Sequence, residues 1–269
     1  MNGVITPGFG LAAVCTVMIA GATVVYLAAG LGGALVVPRA ALRGAAQLAV
    51  VALVLAAALA QLWSSIAVLV VMFGAAVVTS ARRANAGRSA AWVALAIGCG
   101  LGSVLPLLLV TGVVPLEGVA LVPIGGIVLG GTMTATSLAA RRALDAIEQR
   151  WGEVEAALSL GLSERDARLE VVRPTAADAL LPGIDQTRTV GLVTLPGAFV
   201  GVLIASGSAI QAGAVQILVL IALLMAQSAA VAITIELVSR TKIRRSTGTP
   251  GPLPSAGKST LRLSFPSGS

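Results

Sequence analysis

Apolar residues run through this chain in long blocks that few charges interrupt. Five stretches carry no Asp, Glu, Lys or Arg: 1–38, 44–81, 89–116, 118–140 and 189–235. A helix needs about 20 residues to cross the hydrocarbon core of a bilayer. One helix over 44–81 would be about 57 Å long, nearly twice that core, so the stretch must cross and return. The break falls at Gln61-Leu62-Trp63-Ser64-Ser65, with Trp63 at the interface. The 47 residues of 189–235 break similarly at Ser206-Gly207-Ser208. Cutting at turn and charge clusters predicts about seven transmembrane helices, near 11–36, 44–61, 65–81, 90–111, 119–140, 189–207 and 213–238. The fold class read from this pattern is an all-α polytopic membrane protein.

Composition agrees. The chain is 57% hydrophobic and 11% charged, with a mean hydropathy of +0.98. Soluble domains carry about a quarter charged residues, so an ordinary soluble enzyme is excluded. The net charge of +7 would suggest nucleic acid in a soluble protein. Here its placement points elsewhere, and no nucleic-acid partner is expected. Arg39 and Arg43 lie in the first connection; Arg82, Arg83 and Arg88 in the third; Arg141 through Arg188 in or beside the fifth; Arg240, Lys242, Arg244, Arg245, Lys258 and Arg262 after the last span. Every basic residue falls on one side, and the other carries only Glu117. The positive-inside rule then predicts N-out and C-in, in the cell's inner (plasma) membrane as a multi-pass protein.

This organisation divides the chain into spans one to five (1–140), a helical cytoplasmic loop (141–187), spans six and seven (188–239), and a basic tail at 240–269 expected to be disordered and drawn to anionic membrane lipid. Gly251 to Ser259 only imitates a phosphate-binding loop, with five residues between its glycines where four are required. Without its own nucleotide site the chain is not an enzyme and needs no cofactor. No His is present, and Cys15 and Cys99 both lie in apolar runs. They form neither a zinc site nor a disulfide framework, and no metal ligands are assigned.

The 141–187 loop holds nine of the eleven acidic residues. Asp145 to Trp151 reads as a helix leaving the membrane, and Ser163-Glu-Arg-Asp166 has the spacing of a capping box. Between them lies Glu155-Ala156-Ala157-Leu158-Ser159-Leu160-Gly161, followed nine residues later by Val171-Val172-Arg173-Pro174. This resembles the EAA loop through which ABC-transporter permeases dock on their ATPase: Glu-Ala-Ala, three residues, Gly, nine residues, Ile-x-Leu-Pro. Glu155, Ala156, Ala157, Gly161 and Pro174 match; Val171 and Arg173 depart. Small alanines and a glycine let a short helix enter a cleft, and the acid supplies a polar anchor.

A further resemblance covers most of the membrane portion. It is carried by Arg43-Gly-Ala-Ala-Gln47-Leu48, Pro123-Ile-Gly-Gly126-Ile-Val-Leu-Gly130-Gly-Thr-Met133, Leu158-Ser-Leu-Gly161, and Gln216-Ile217. The longest word is Pro182-Gly-Ile-Asp185-Gln-Thr-Arg188-Thr-Val-Gly191-Leu-Val-Thr-Leu-Pro196-Gly197-Ala-Phe-Val-Gly201. Together these resemble the FetB-type ABC transporter permease family, linked to iron export, with plant relatives linked to aluminium tolerance. The family usually has Asn at the place of Gly131 and methionines at Ala198 and Phe199, so three metal-friendly side chains are replaced, and it has Asp-Pro near Ser208-Ala209.

The resemblance implies a permease subunit, expected as a homodimer, exporting iron or another metal. Its partner would be a cytoplasmic ABC ATPase subunit that holds ATP and Mg. Gln47, Met133, Pro196, Gly197 and Gln216 are candidate lining of a substrate path, with Gln227 beside them, because buried amides need partners and a Pro-Gly step frees carbonyls. The pairs Gly98/Gly102, Gly126/Gly130 and Gly197/Gly201 read as helix-packing sites. Thr132, Thr134 and Thr136 read as hydroxyls bonded to the preceding turn, and Glu236 with Arg240 as an i,i+4 pair. The alternatives are an ABC importer permease, an ion-coupled secondary carrier, and a membrane scaffold. A carrier ordinarily places ionisable groups inside the bilayer, and the uncharged stretches have none.

Overall fold

In lipid a backbone has no water to bond with, so apolar blocks of this length form helices. The computed structural model describes residues 8–58 and 62–246. Among them the only β feature is an isolated bridge between Val190 and Thr194. The Gly251–Ser259 segment and the rest of the expected tail from 247 onward lie outside the described residues.

The chain divides into two units, 1–61 and 62–269. In the first, α1 (Phe9–Ala28) and α2 (Val36–Ala58) pack as a hairpin. The sequence reading carried the first span to 36 and began the second at 44. The glycines at 30, 32 and 33 end α1 earlier, with Gly30 at φ +64°. Pro38, tolerated in a first turn, lets α2 begin at Val36. Arg39 and Arg43 therefore sit on the opening turns of a helix, not in a loop. No residue of α1 is buried, which leaves its apolar surface for lipid.

The second unit contains α3 (Leu62–Arg83), α4 (Ala90–Val110), α5 (Gly118–Gln149), α6 (Trp151–Ser159), α7 (Glu164–Ala177), α8 (Leu181–Thr189), α9 (Gly197–Ser206) and α10 (Ala209–Ser239). α5 and α10 form its spine: α5 packs on α3, α4, α7 and α10, and α10 also on α4, α7 and α9. Burying apolar area gains little against lipid, so close approach of small residues must hold such helices together. Ala96, Ala139, Ala143, Ala226 and Ala230 are fully buried. One tight crossing, against backbone, is at Gly100. A Cβ there would lie 2.7 Å from the Ala226 carbonyl oxygen, 2.8 Å from Thr132 Cγ2 and 3.0 Å from Ala230 Cβ, so α4, α5 and α10 meet at one point. Of the expected packing pairs only Gly126 is tight, 3.0 Å from Met72 Cε, whereas Gly102, Gly130, Gly197 and Gly201 face open space. The i,i+4 spacing marked glycines on one face; which face meets a neighbour depended on the whole bundle.

Six helices among the described residues are long and apolar enough to cross a membrane, and Gly197–Ser206 is a shorter apolar helix. The sixth expected span, 189–207, is therefore not a continuous helix. The chain leaves α8 at Thr189, turns through 190–196 with Gly191 at φ +81°, and re-enters a helix after Pro196. Proline at the N-cap of α9 is what interrupts it. α5 runs through residue 141 without a break, so the membrane portion and the 141–187 segment share one helix.

Several basic residues of this unit gather at one end. Arg142 pairs with Asp178 at 2.8 Å, and Arg245 with Asp145 and, at 3.2 Å, Glu148. The Ser246 N–H donates to the Asn85 carbonyl at 2.7 Å, and Lys242 Nζ lies 5.3 Å from the centre of the Trp92 ring. Residues 240–246, expected as the start of a disordered tail, are thus folded back on α4 and α5, with Ile243 buried. A cavity of about 60 Å³ remains among Leu144, Ile147, Trp151, Val238 and Ile243.

Candidate functional site

The segment singled out by the Glu-Ala-Ala motif folds as a helical hairpin at the charged end. Val154, Ala167 and Val171 bury a small core between α6 and α7. The Gly161 N–H donates to the Leu158 carbonyl at 2.9 Å and the Leu162 N–H to the Ala157 carbonyl at 3.2 Å. These two bonds make a Schellman C-cap on α6. Gly161 has φ +91°, a conformation that side chains oppose. The Ser163 hydroxyl accepts from the Asp166 N–H at 3.2 Å and opens α7 as the capping-box spacing predicted. It also donates to the Asp166 carboxylate at 2.6 Å. That bond, with Arg165 beside it, holds the Asp166 carboxyl below its ordinary range. Hydrogen bonding to Arg150 does the same for Glu153. Depressed carboxyls contribute stability that is fully present above their ordinary range and is lost as pH falls from there through their lowered folded-state values.

Glu155 is exposed, yet its carboxylate accepts from the Trp151 indole N–H at 2.8 Å, one turn back. Ala156 is exposed and Ala157 half-buried. Leu160 and Leu162, flanking Gly161, are 82% and 40% exposed, an apolar tip on a polar hairpin. Pro174 is not part of this tip: it lies inside the last turns of α7, about 16 Å along the helix from Ser163.

The hairpin is tied to the spine through Glu236. Arg165 donates to both of its carboxylate oxygens at 2.7 Å, and Arg240 donates to Oε1 at 2.5 Å. The i,i+4 pair with Arg240 is thus present, but Arg165, 71 positions away in sequence, makes the bidentate contact. Only the fold brings these residues together, and no local pattern marks Arg165.

The candidate path residues separate. Gln47 is exposed on α2, in the first unit. Met133 is half-buried on α5 against the main core. Pro196 and Gly197 sit at the broken start of α9. Gln216 and Gln227 are buried on α10, 4% and 6% exposed. They are eleven residues apart, which at 100° per residue puts them on one face. Both Oε1 atoms lack a hydrogen-bond partner, as do the buried hydroxyls of Thr136 and Ser80. Thr132 and Thr134 do bond the preceding turn, to the carbonyls of Val128 and Gly130 at 2.7 and 3.0 Å. An unpaired buried acceptor costs about 1–3 kcal/mol, so each of these oxygens carries an unmet demand for a donor.

Gln227 is seated by two glycines the sequence did not single out for this purpose. A side chain on Gly131 of α5 would meet its Nε2 at 2.9 Å, and one on Gly183 of α8 would collide with its Oε1. Gly131 is where the family resemblance expects Asn; here the Gln227 amide and Leu223 fill that space. Among the described residues no group of three or more His, Cys, Asp or Glu could hold a metal ion.

Known proteins resemble parts of this chain. It is 32% identical over 168 residues to UPF0014 membrane protein slr1647 of Synechocystis sp., covering 61% of this chain and 65% of that one. It is 34% identical over 126 residues to Protein ALUMINUM SENSITIVE 3 of Arabidopsis thaliana, covering 47% and 46%. It is 31% identical over 134 residues to the Probable iron export permease protein FetB of Escherichia coli, covering 50% and 52%. The matches thus span about half to just under two thirds of these relatives. No solved structure matches. A helical chain with several apolar spans, whose residues 10–243 match the sequence pattern of Uncharacterised protein family (UPF0014), is a multi-pass membrane protein that belongs to that family.

Proposed function

We propose that this chain is the membrane permease subunit of an ABC transporter that exports iron or another metal, working as a homodimer in the inner (plasma) membrane. A separate cytoplasmic ATPase would supply the ATP and Mg chemistry. The observation that carries the reading is the α6–α7 hairpin. It presents Leu160 and Leu162 on either side of a left-handed Gly161, and Arg165 ties it to the end of α10. An exposed apolar tip on a charged hairpin suits insertion into a partner's cleft, and a rigid link to a spanning helix lets movement there reach the membrane. The likeness to the Escherichia coli protein named as a probable iron export permease supports the metal. Alternating exposure of a cavity beside α8 and α10 would carry the solute.

The test is reconstitution with a cytoplasmic ABC ATPase subunit from the same organism. Gly161→Asp puts a side chain where φ is +91° and a charge where the tip must be buried. Co-purification of the ATPase and ATP-driven Fe²⁺ movement into inside-out vesicles are both expected to fall at least roughly tenfold, the ratio set by about 1.4 kcal/mol. Wild-type yield and turnover from Gly161→Asp would show that the hairpin is not the docking element. Orientation is checked separately. In a background lacking Cys15 and Cys99, Ser206→Cys is expected to react with an impermeant thiol reagent outside intact cells and Ser159→Cys only after lysis; the reverse pattern would invert the topology.

A further inference from the structure

Three helices mark depth independently at the α4–α5–α10 crossing. Gly100 is twelve residues from Arg88, Thr132 ten from Arg142, and Ala230 ten from Arg240, each about 15–18 Å of helix rise. Their contacts put these residues in one layer, about half of the hydrocarbon thickness from the charged end. Gln227 belongs to that layer through Gly131, and Gly183 of α8 joins it by packing on the Gln227 amide. Asp185 lies two residues beyond Gly183 in the same helix, within about 3 Å of rise whatever the tilt of α8, and Arg188 within about 8 Å.

Asp185 and Arg188 pair loosely at 3.9 Å and are 65% and 73% exposed. On α10 the exposed Met225, two residues from Gln227, lies at that depth, in an apolar stripe with Ile221 and Ile217 that runs on toward the opposite end of the unit. The unit therefore shows two open faces at mid-depth, one apolar and one charged. Beside the charged face the chain is non-helical from Val190 to Pro196, and Gly191 to Leu195 are exposed. Irregular backbone at membrane depth persists only where protein or water covers it.

We propose that the outer face of α8, carrying Asp185, Gln186 and Arg188, together with the 190–196 break, is the wall of a water-filled path at mid-membrane. A carboxylate, an amide and a guanidinium side by side suit a charged solute that passes with its hydration shell, not a lipid-soluble one. The assignment requires that the chain cross a membrane and does not depend on an ATPase, so it can stand or fall apart from the coupling reading.

Single cysteines in the full chain, reconstituted in lipid nanodiscs without Cys15 and Cys99, test it. Gln186→Cys, which keeps the ion pair, and Arg188→Cys are expected to react with a trimethylammonium methanethiosulfonate. Met225→Cys is expected to be slower by roughly a hundredfold, about the ratio that one charge at mid-membrane imposes. A Gly183→Cys/Gln227→Cys pair is expected to close under mild oxidant, fixing the depth of α8. If both α8 cysteines are as inert as Met225→Cys, the face meets lipid or a second copy and the proposal fails. If the 183/227 pair stays open, α8 lies at another depth and it fails as well.

Discussion

Gly100→Ala is expected to destabilise the protein by about 1–3 kcal/mol, as overpacking a tight core does. In a helix interior this exchange would otherwise gain about 0.5–1 kcal/mol. The sign reverses because the new methyl would stand 2.7 Å from a backbone oxygen, that of Ala226, with Thr132 and Ala230 closing the other sides. A flexible side chain could step aside; a helix carbonyl can move only with α10. Gly102→Ala on the same helix, with nothing within 4 Å of its Cβ, is the control. Unfolding in mixed micelles of increasing denaturing-detergent fraction should separate the two. Equal midpoints would mean that α4, α5 and α10 do not cross at Gly100. The depth assigned to Gly183 would then lose one of its markers.

The second large effect is expected at the link between hairpin and spine. Arg165→Glu places a second carboxylate beside Glu236 and removes a bidentate contact, leaving only Arg240 as counter-charge. Charge-assisted pairs of this geometry are worth more than ordinary surface pairs. With the Arg165 side chain 40% exposed, solvent screening keeps the loss of stability small. The larger consequence falls on coupling. If α7 drives α10 through this clamp, Arg165→Glu should leave ATPase binding intact while ATP-driven transport drops about tenfold, and the exchange Arg165→Glu/Glu236→Arg should recover part of it. Gly161→Asp, by contrast, is expected to lose binding as well. Transport by Arg165→Glu at the wild-type rate would show that movement enters the membrane elsewhere, for example through α5, which runs unbroken from one region to the other.

These expectations differ in origin. The length and spacing of the uncharged blocks determined that the chain is helical and crosses a membrane several times, because a bilayer allows a long apolar segment few other conformations. Local chemistry in the sequence also determined the ends of the α6–α7 hairpin: Ser163 caps one helix and Gly161 closes the other with bonds between near neighbours. The interruption at Pro196 was readable for the same reason, since proline acts on its own turn.

What depends on residues far apart was decided only by the tertiary structure. No periodicity relates Arg165 to Glu236, or tells that Gly100 and Gly131 lie at helix crossings while Gly102 and Gly130 do not. Depth is the clearest case. By position along the chain, Asp185 and Arg188 border a polar loop; by packing, the contact of Gly183 with Gln227 draws them toward the middle of the bundle. A sequence records where charges fall between apolar blocks. How far into the membrane a short helix reaches depends on which small residues let it pack against its neighbours, and only the assembled fold sets that.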